Sequence, residues 1–157
     1  MAIQQTSQES VSVAVTELAS MQQSIADYEQ MHRLLKASLR QNIDYCTLPG
    51  SKTAILLKPG AEKLLQFFHL GHRVVCIAKM EDWENGLFFY HYKVVIFKSL
   101  NNQECIIAEC EGSANSKEKK YRNQDVYNFV NTIQKMAIKR AFVGATVQAT
   151  GTSGFFS

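Results

Sequence analysis

Apolar and polar residues follow two periods along this chain, and the change from one to the other divides it into elements. From Thr16 to Gln41, Leu18, Met21, Ile25, Tyr28, His32, Leu35 and Leu39 recur at spacings of three and four, which predicts a helix with one apolar stripe. The residues ahead of it, 1–15, are polar and nearly uncharged and read as a flexible arm. The stripe must be covered, by its own domain in the simpler case or, as a narrow seam, by a neighbouring subunit. Leu48-Pro49-Gly50 then signals a turn, Thr53 to Leu57 a short strand, and Pro59 the first turn of a second helix. Ala61 to Phe68 places Leu64, Leu65 and Phe68 on one side of that helix, with Gly71 as its stop.

From His72 the period becomes strand-like. Arg73 to Glu81, Leu87 to Leu100 and Glu104 to Gly112 read as three strands, joined by Glu84-Asn85-Gly86 and Asn101-Asn102, whose side chains tolerate positive φ. On the long middle strand Phe88, Tyr90, Tyr92, Val94 and Ile96 share a face, with His91 and Lys93 on the other. Ser113 to Gln124 is a polar, basic loop, and a long helix is expected from Asp125, a candidate N-cap, to about Thr150, with Gly151 as its stop. On that helix Val126, Val130, Ile133, Ala137, Ala141 and Gly144 share one side, and Asn128, Asn131, Thr132, Lys135 and Lys139 the opposite one. Small residues on the apolar side let a helix lie close to a sheet. The predicted class is α+β: an antiparallel three-stranded β-meander packed against a long C-terminal helix, with additional N-terminal helices, in a single domain over 16–157.

Composition narrows the class further. The 157 residues are 46% hydrophobic and 20% charged, which excludes wholesale disorder and a disulfide-dense scaffold. Neither a secretory signal nor an apolar run of membrane-spanning length is read in the sequence. Cys46, Cys76, Cys105 and Cys110 form no CxxC pair and have no histidine at ligand spacing, so they are expected to be reduced, buried cysteines of a cytoplasmic protein with no metal site. The net charge of +3 is unevenly spread: residues 1–111 carry ten Lys or Arg against twelve acids, residues 112–157 seven against two. That asymmetry is the footprint of a surface that meets phosphates, or else a solvated basic face.

The candidate chemistry lies in that basic half. Gly112 to Arg122 gathers Lys117, Lys119, Lys120 and Arg122 with Tyr121 and several small hydrogen-bonding residues ahead of a helix, and Lys135 and Lys139 continue the cationic strip. Backbone N–H groups, hydroxyls and cations so placed suit phosphate oxygens. Among Tyr121, Tyr127, Phe129 and Phe142, Tyr121 is the leading candidate to stack on an unpaired base, because its neighbours are charged. A metal-dependent nuclease would draw on Asp82, Glu109 and Glu111, which no lysine, histidine or nucleophile completes into a site; an interaction module would dock the basic loop on an acidic partner. The dispersed histidines His32, His69, His72 and His91 suggest no ligand set, and no GxxxxGK loop is present, so any action on DNA would be driven by binding energy.

Leu57-Lys-Pro-Gly-Ala-Glu-Lys-Leu64, Glu81-Asp-Trp83, Phe88-Phe-Tyr90, Asn115-Ser-Lys-Glu-Lys-Lys-Tyr-Arg122, Lys135-Met-Ala-Ile-Lys-Arg-Ala141 and Ala149-Thr-Gly151 resemble small proteins of phages, plasmids and other mobile elements. Those in turn look like distant members of the single-strand annealing superfamily typified by the eukaryotic Rad-fifty-two protein. The resemblance spans Thr53 to Phe156. It implies a β-β-β-α core and an ATP-independent, cofactor-free, non-enzymatic protein of recombination and repair. Such a protein holds single-stranded DNA in a basic groove, assembles into rings or filaments, and pairs complementary strands. It also implies a nucleoid-associated setting in a bacterial or phage-infected cell, and a single-strand-binding protein or recombinase as further partner. The family's Lys-Arg-Ala helix motif falls on Lys139, Arg140 and Ala141, and its basic loop on Lys117, Lys119, Lys120 and Arg122. The DNA-binding set expected is therefore Lys117, Lys119, Lys120, Tyr121, Arg122, Lys135, Lys139 and Arg140.

Overall fold

A computed structural model describes the backbone of residues 2–156 and side chains over 16–156. The chain forms two units, Met1–Leu39 and Arg40–Ser157. The first is one helix, α1, Ala2–Ser38. It contains neither glycine nor proline, so nothing in the sequence interrupts the hydrogen-bond ladder. The helix thus begins at Ala2 and takes in the stretch expected as an arm. Tyr28 and His32, one turn apart, bring their ring centroids to 3.9 Å.

The second unit opens with a small antiparallel hairpin, β1 (Tyr45–Thr47) and β2 (Ala54–Leu56), followed by α2 (Lys58–Phe67) with Pro59 in its first turn. Asp44 ties these pieces together. Its fully buried carboxylate accepts from the Arg40 N–H at 2.8 Å and from Lys63 Nζ at 2.6 Å, and its carbonyl accepts from the Leu57 N–H at 2.9 Å. Burial alone would raise the Asp44 carboxyl, but the Lys63 ammonium and the Arg40 N–H hold it below the ordinary aspartate range. Helix α2 stops at Phe68, and His69 turns at φ 53°, so Gly71 opens the next strand instead of closing the helix.

The main sheet is the predicted meander: β3 (Gly71–Asp82), β4 (Leu87–Leu100) and β5 (Gln103–Asn115), antiparallel in the order β3-β4-β5. Gly86 turns at φ 64° between β3 and β4, and Asn101 and Asn102 at 50° and 60° between β4 and β5. The aromatic face of β4 is the core face as expected, with Phe88, Tyr90, Tyr92, Val94 and Ile96 all buried. Strand β5 runs three residues past Gly112, because Ala114 and Asn115 find register partners in Tyr90 and Phe89 of the long β4.

Helix α3 covers Val130–Ala149, preceded by a short 3-10 helix, Val126–Phe129. Asp125 caps that 3-10 turn by accepting from the Tyr127 N–H at 3.2 Å, so the expected single helix from Asp125 is two pieces. Gly151, at φ 63°, ends α3: its N–H donates to the Gln148 carbonyl and that of Thr152 to the Val147 carbonyl. Ile133, Ala137, Ala141 and Ala145 are buried as α3 packs across β4 and β5. The packing is intimate at Gly112, where a Cβ would lie 2.4 Å from the Ala141 nitrogen and 2.7 Å from the Ala137 carbonyl oxygen.

Strand β3 lies outside this cover, and every residue from His72 to Glu81 is exposed. That exposure corrects the expectation of buried cysteines, since Cys76 on β3 and Cys105 on the outer half of β5 are exposed, while Cys46 and Cys110 are half-buried and all four are free thiols. No helix among the described residues is long and apolar enough to cross a membrane. The close approach at Gly112 predicts a sharp asymmetry between glycines. Gly112→Ala meets backbone that cannot yield and should cost about 3 kcal/mol, whereas Gly154→Ala, with nothing near its Cβ, should be near neutral. Urea midpoints of the two variants at constant m check this.

Candidate nucleic-acid interface

The basic loop leaves the end of β5 and is fixed before its first lysine. Ser116 is buried; its hydroxyl donates to the Gly86 carbonyl at 2.9 Å and accepts from the Phe88 N–H at 3.0 Å, while its own N–H donates to the Phe88 carbonyl at 2.8 Å. One side chain thereby ties the loop to the β3–β4 turn. Asn115 folds the next step: its Oδ1 accepts from the Lys117 N–H at 2.9 Å, and its N–H donates to Glu118 Oε1 at 3.2 Å.

Glu118 is the hub of the loop. The Arg140 guanidinium reaches it from α3 in a two-pronged pair, Nη1 to Oε1 at 2.7 Å and Nη2 to Oε2 at 2.8 Å, and Nη1 also donates to the Ser113 carbonyl at 2.6 Å. Lys120 lies 3.4 Å from the same carboxylate and also over the Tyr121 ring. These hydrogen bonds, that of Arg140 first, pull the Glu118 carboxyl down to about 2, and Glu118 in turn raises the Arg140 guanidinium. The loop closes in a 3-10 turn, Lys119–Tyr121.

The eight residues expected to touch DNA are thus placed in distinct settings. Lys117, Lys119 and Arg122 are exposed and enter no ion pair among the described residues. Lys120 is shared with Glu118 and Tyr121. Arg140, exposed as well, is engaged with Glu118 and Ser113 and so anchors the loop. On α3, Lys135 is exposed and Lys139 half-buried, on the side away from the sheet. Tyr121 is 4% exposed, packed with Phe88, Tyr90, Tyr92 and Ile133, and so cannot present a face to a base. The charge of its neighbours carried no information about ring direction, because a 3-10 turn sends its last residue inward while the adjacent lysines point out.

The exposed aromatic residues at this end of the sheet are Trp83, in the β3–β4 turn, and Tyr127, in the 3-10 turn ahead of α3. Their proximity, across 44 positions, had no signal in the sequence beyond the aromatic character of each. The carboxylates of the nuclease reading are dispersed into local pairs. Glu109 accepts from Lys93 at 3.0 Å, Glu111 meets His91 at 2.9 Å, and Asp82 caps its turn through the N–H groups of Glu84 and Asn85 and the Asn85 side chain. The Asn85 amide, foremost, keeps the Asp82 carboxyl below its ordinary range. Among the described residues no group of three or more His, Cys, Asp or Glu side chains is placed to hold a metal ion.

No protein-family model matches the sequence, and no curated protein matches it. What defines this end of the sheet is its own chemistry: a cation-bearing loop held rigid by one buried serine and one glutamate–arginine clamp.

The clamp gives a pH-dependent signature. The Glu118 carboxyl sits below its ordinary 4.5, so its contribution to stability is full above that pH and is lost as pH falls from 4.5 toward about 2. Glu118→Gln should therefore be less stable than the native chain by about 1–3 kcal/mol at neutral pH, and the difference should vanish on acidification through that window. Paired urea titrations from pH 7 to 2 measure it.

Proposed function

We propose that the chain binds single-stranded DNA and anneals complementary strands without nucleotide hydrolysis, working as a homo-oligomer. The observation that carries the reading is the loop 116–122, in which Lys117, Lys119 and Arg122 stand exposed and, among the described residues, unpaired by carboxylates on a backbone held by Ser116, Asn115 and Glu118. A rigid display of cations recognises a regular array of phosphates, and its affinity falls with salt as condensed counterions are released. Lys135 and Lys139 extend the charge along α3. Assembly is supported by β3, which, among the described residues, has an outer edge that pairs with no strand and exposes Val74, Val75, Ile77 and Met80. The annealing step rests on the resemblance in motifs and in β-β-β-α order to the Rad-fifty-two-like superfamily. In that mechanism the basic groove holds one strand by its backbone with bases accessible, and neighbouring subunits keep it extended while a second strand tests pairing.

The test uses fluorescently labelled single-stranded and duplex oligonucleotides at two salt concentrations. Single strands should bind preferentially, and Lys117→Ala/Lys119→Ala/Lys120→Ala should bind at least about tenfold more weakly. Its salt dependence should also be shallower, by about one counterion for each phosphate that is no longer neutralised. Annealing of complementary strands without nucleotide, measured alongside particle size, checks the remainder. Equal binding by native chain and triple variant would overturn the assignment of the loop.

A further inference from the structure

The basic loop accounts for phosphates but supplies no group that meets a base, because Tyr121 is buried. Trp83 and Tyr127 stand at the same end of the sheet and are 56% and 45% exposed. Their rings are inclined by only 20°, with centroids 6.3 Å apart. Phe88, 1% exposed, lies beneath both and meets each edge to face, at 4.9 Å from Trp83 and 6.0 Å from Tyr127. Two large, nearly parallel rings are thus propped from below by a core side chain and left open to solvent.

The props are rigid. Asp82 fixes the turn that bears Trp83 by accepting from the N–H groups of Glu84 and Asn85 at 3.1 and 3.0 Å and from Asn85 Nδ2 at 2.8 Å. Asp125 fixes the turn that bears Tyr127, accepting from its N–H and from Asn128 Nδ2. At Gly86 the two turns meet: a Cβ there would lie 3.0 Å from Val126 Cγ2 and 3.4 Å from the Tyr127 hydroxyl. Scattered exposed apolar side chains are ordinary, but two held in common alignment form a face that stacks on a flat partner with little further loss of freedom.

We propose that Trp83 and Tyr127 form a stacking platform for an unpaired base of the bound strand. This deepens, and rests on, the single-stranded DNA reading above. A base is the favoured occupant because the Ser116 hydroxyl joins the platform's turn directly to the loop that carries Lys117, Lys119 and Arg122. A strand with its phosphates on that loop brings its bases to this end of the sheet. The acids beside the platform fit the same polarity: Asp82 and Asp125 are taken up by turn N–H groups, and exposed Glu84 repels phosphate from the turn itself, leaving the neutral base to meet the rings. Stacking tolerates any base, which suits a protein that must hold strands of any sequence.

Trp83 is the sole tryptophan of the chain, so its own emission reports on the platform. The full chain is titrated with oligothymidylate, following tryptophan emission and, in parallel, the anisotropy of a labelled oligonucleotide. The expected result is quenching that saturates with the same midpoint as the anisotropy. Trp83→Ala and Tyr127→Ala should each weaken binding by roughly 5- to 100-fold, while Trp83→Phe keeps most of the affinity. An oligonucleotide of abasic sites should bind the native chain as weakly as oligothymidylate binds Trp83→Ala, and Trp83→Ala should no longer distinguish the two. Circular dichroism establishes that the variants are folded, and quenching in the unmutated chain tests the platform independently of them. Anisotropy showing binding while emission is unchanged, with equal affinity for abasic and thymidylate strands, would overturn the platform and leave the DNA reading intact. No binding in either channel would overturn the DNA reading itself. Quenching by an arginine-rich peptide but not by oligonucleotides would show a platform for cations and overturn the proposal.

Discussion

The structure of the sheet unit turns on how closely α3 approaches β5 at Gly112. A backbone-to-backbone contact of that kind is possible only where no Cβ intervenes, and it brings the Ala137–Ala141 segment down onto the strand. Once the helix lies across β4 and β5, two consequences follow from geometry. Arg140, next to Ala141, comes within reach of the Ser113 carbonyl and of Glu118, so the basic loop is clamped to the helix. The chain between β5 and α3 must also cross the end of the sheet, which carries the 3-10 turn with Tyr127 up to the β3–β4 turn with Trp83.

The same placement leaves β3 bare. A helix that covers two strands of a three-stranded sheet leaves most of the third uncovered, and exposed Val74, Ile77 and Met80 are the result. Natural edge strands are usually blunted by charges, bulges or cover. Here β3 carries one register shift between Cys76 and Ala78 and the charges of Arg73, Lys79, Glu81 and Asp82, which leave Val74 to Ala78 without a charge. Among the described residues, one sheet thus combines an apolar edge that pairs with no strand and a rigid cation-bearing loop at its end.

Much of the fold was legible in the sequence, because the signals there are local. Apolar residues at every second position from Phe88 to Ile96, with His91 and Lys93 between them, mark a strand with an aromatic core face. Pro59 marked the first turn of α2 and Gly151 the end of α3, since each answers to the geometry of a helix terminus. The site was legible only in part. The loop lysines were identifiable from charge, but Arg140 looked like one more cation in a strip, and only its partner Glu118, 22 residues away, shows it to be an anchor. Tyr121 and Tyr127 are chemically the same residue in similar polar surroundings. One is buried and one exposed because of the direction each 3-10 turn faces.

By itself, then, the sequence determined the element order, the α+β class, the inward face of β4, the close-packing stripe of α3 and the concentration of positive charge after Gly112. These are set by period, turn chemistry and composition within a few residues of one another. The tertiary structure decided which cations are spent on holding the loop, which aromatic rings face outward, which acids are neutralised in pairs and which strand is left uncovered. Each of those depends on the distance between groups far apart in the chain, and that distance follows from how closely a helix of alanines settles on a glycine.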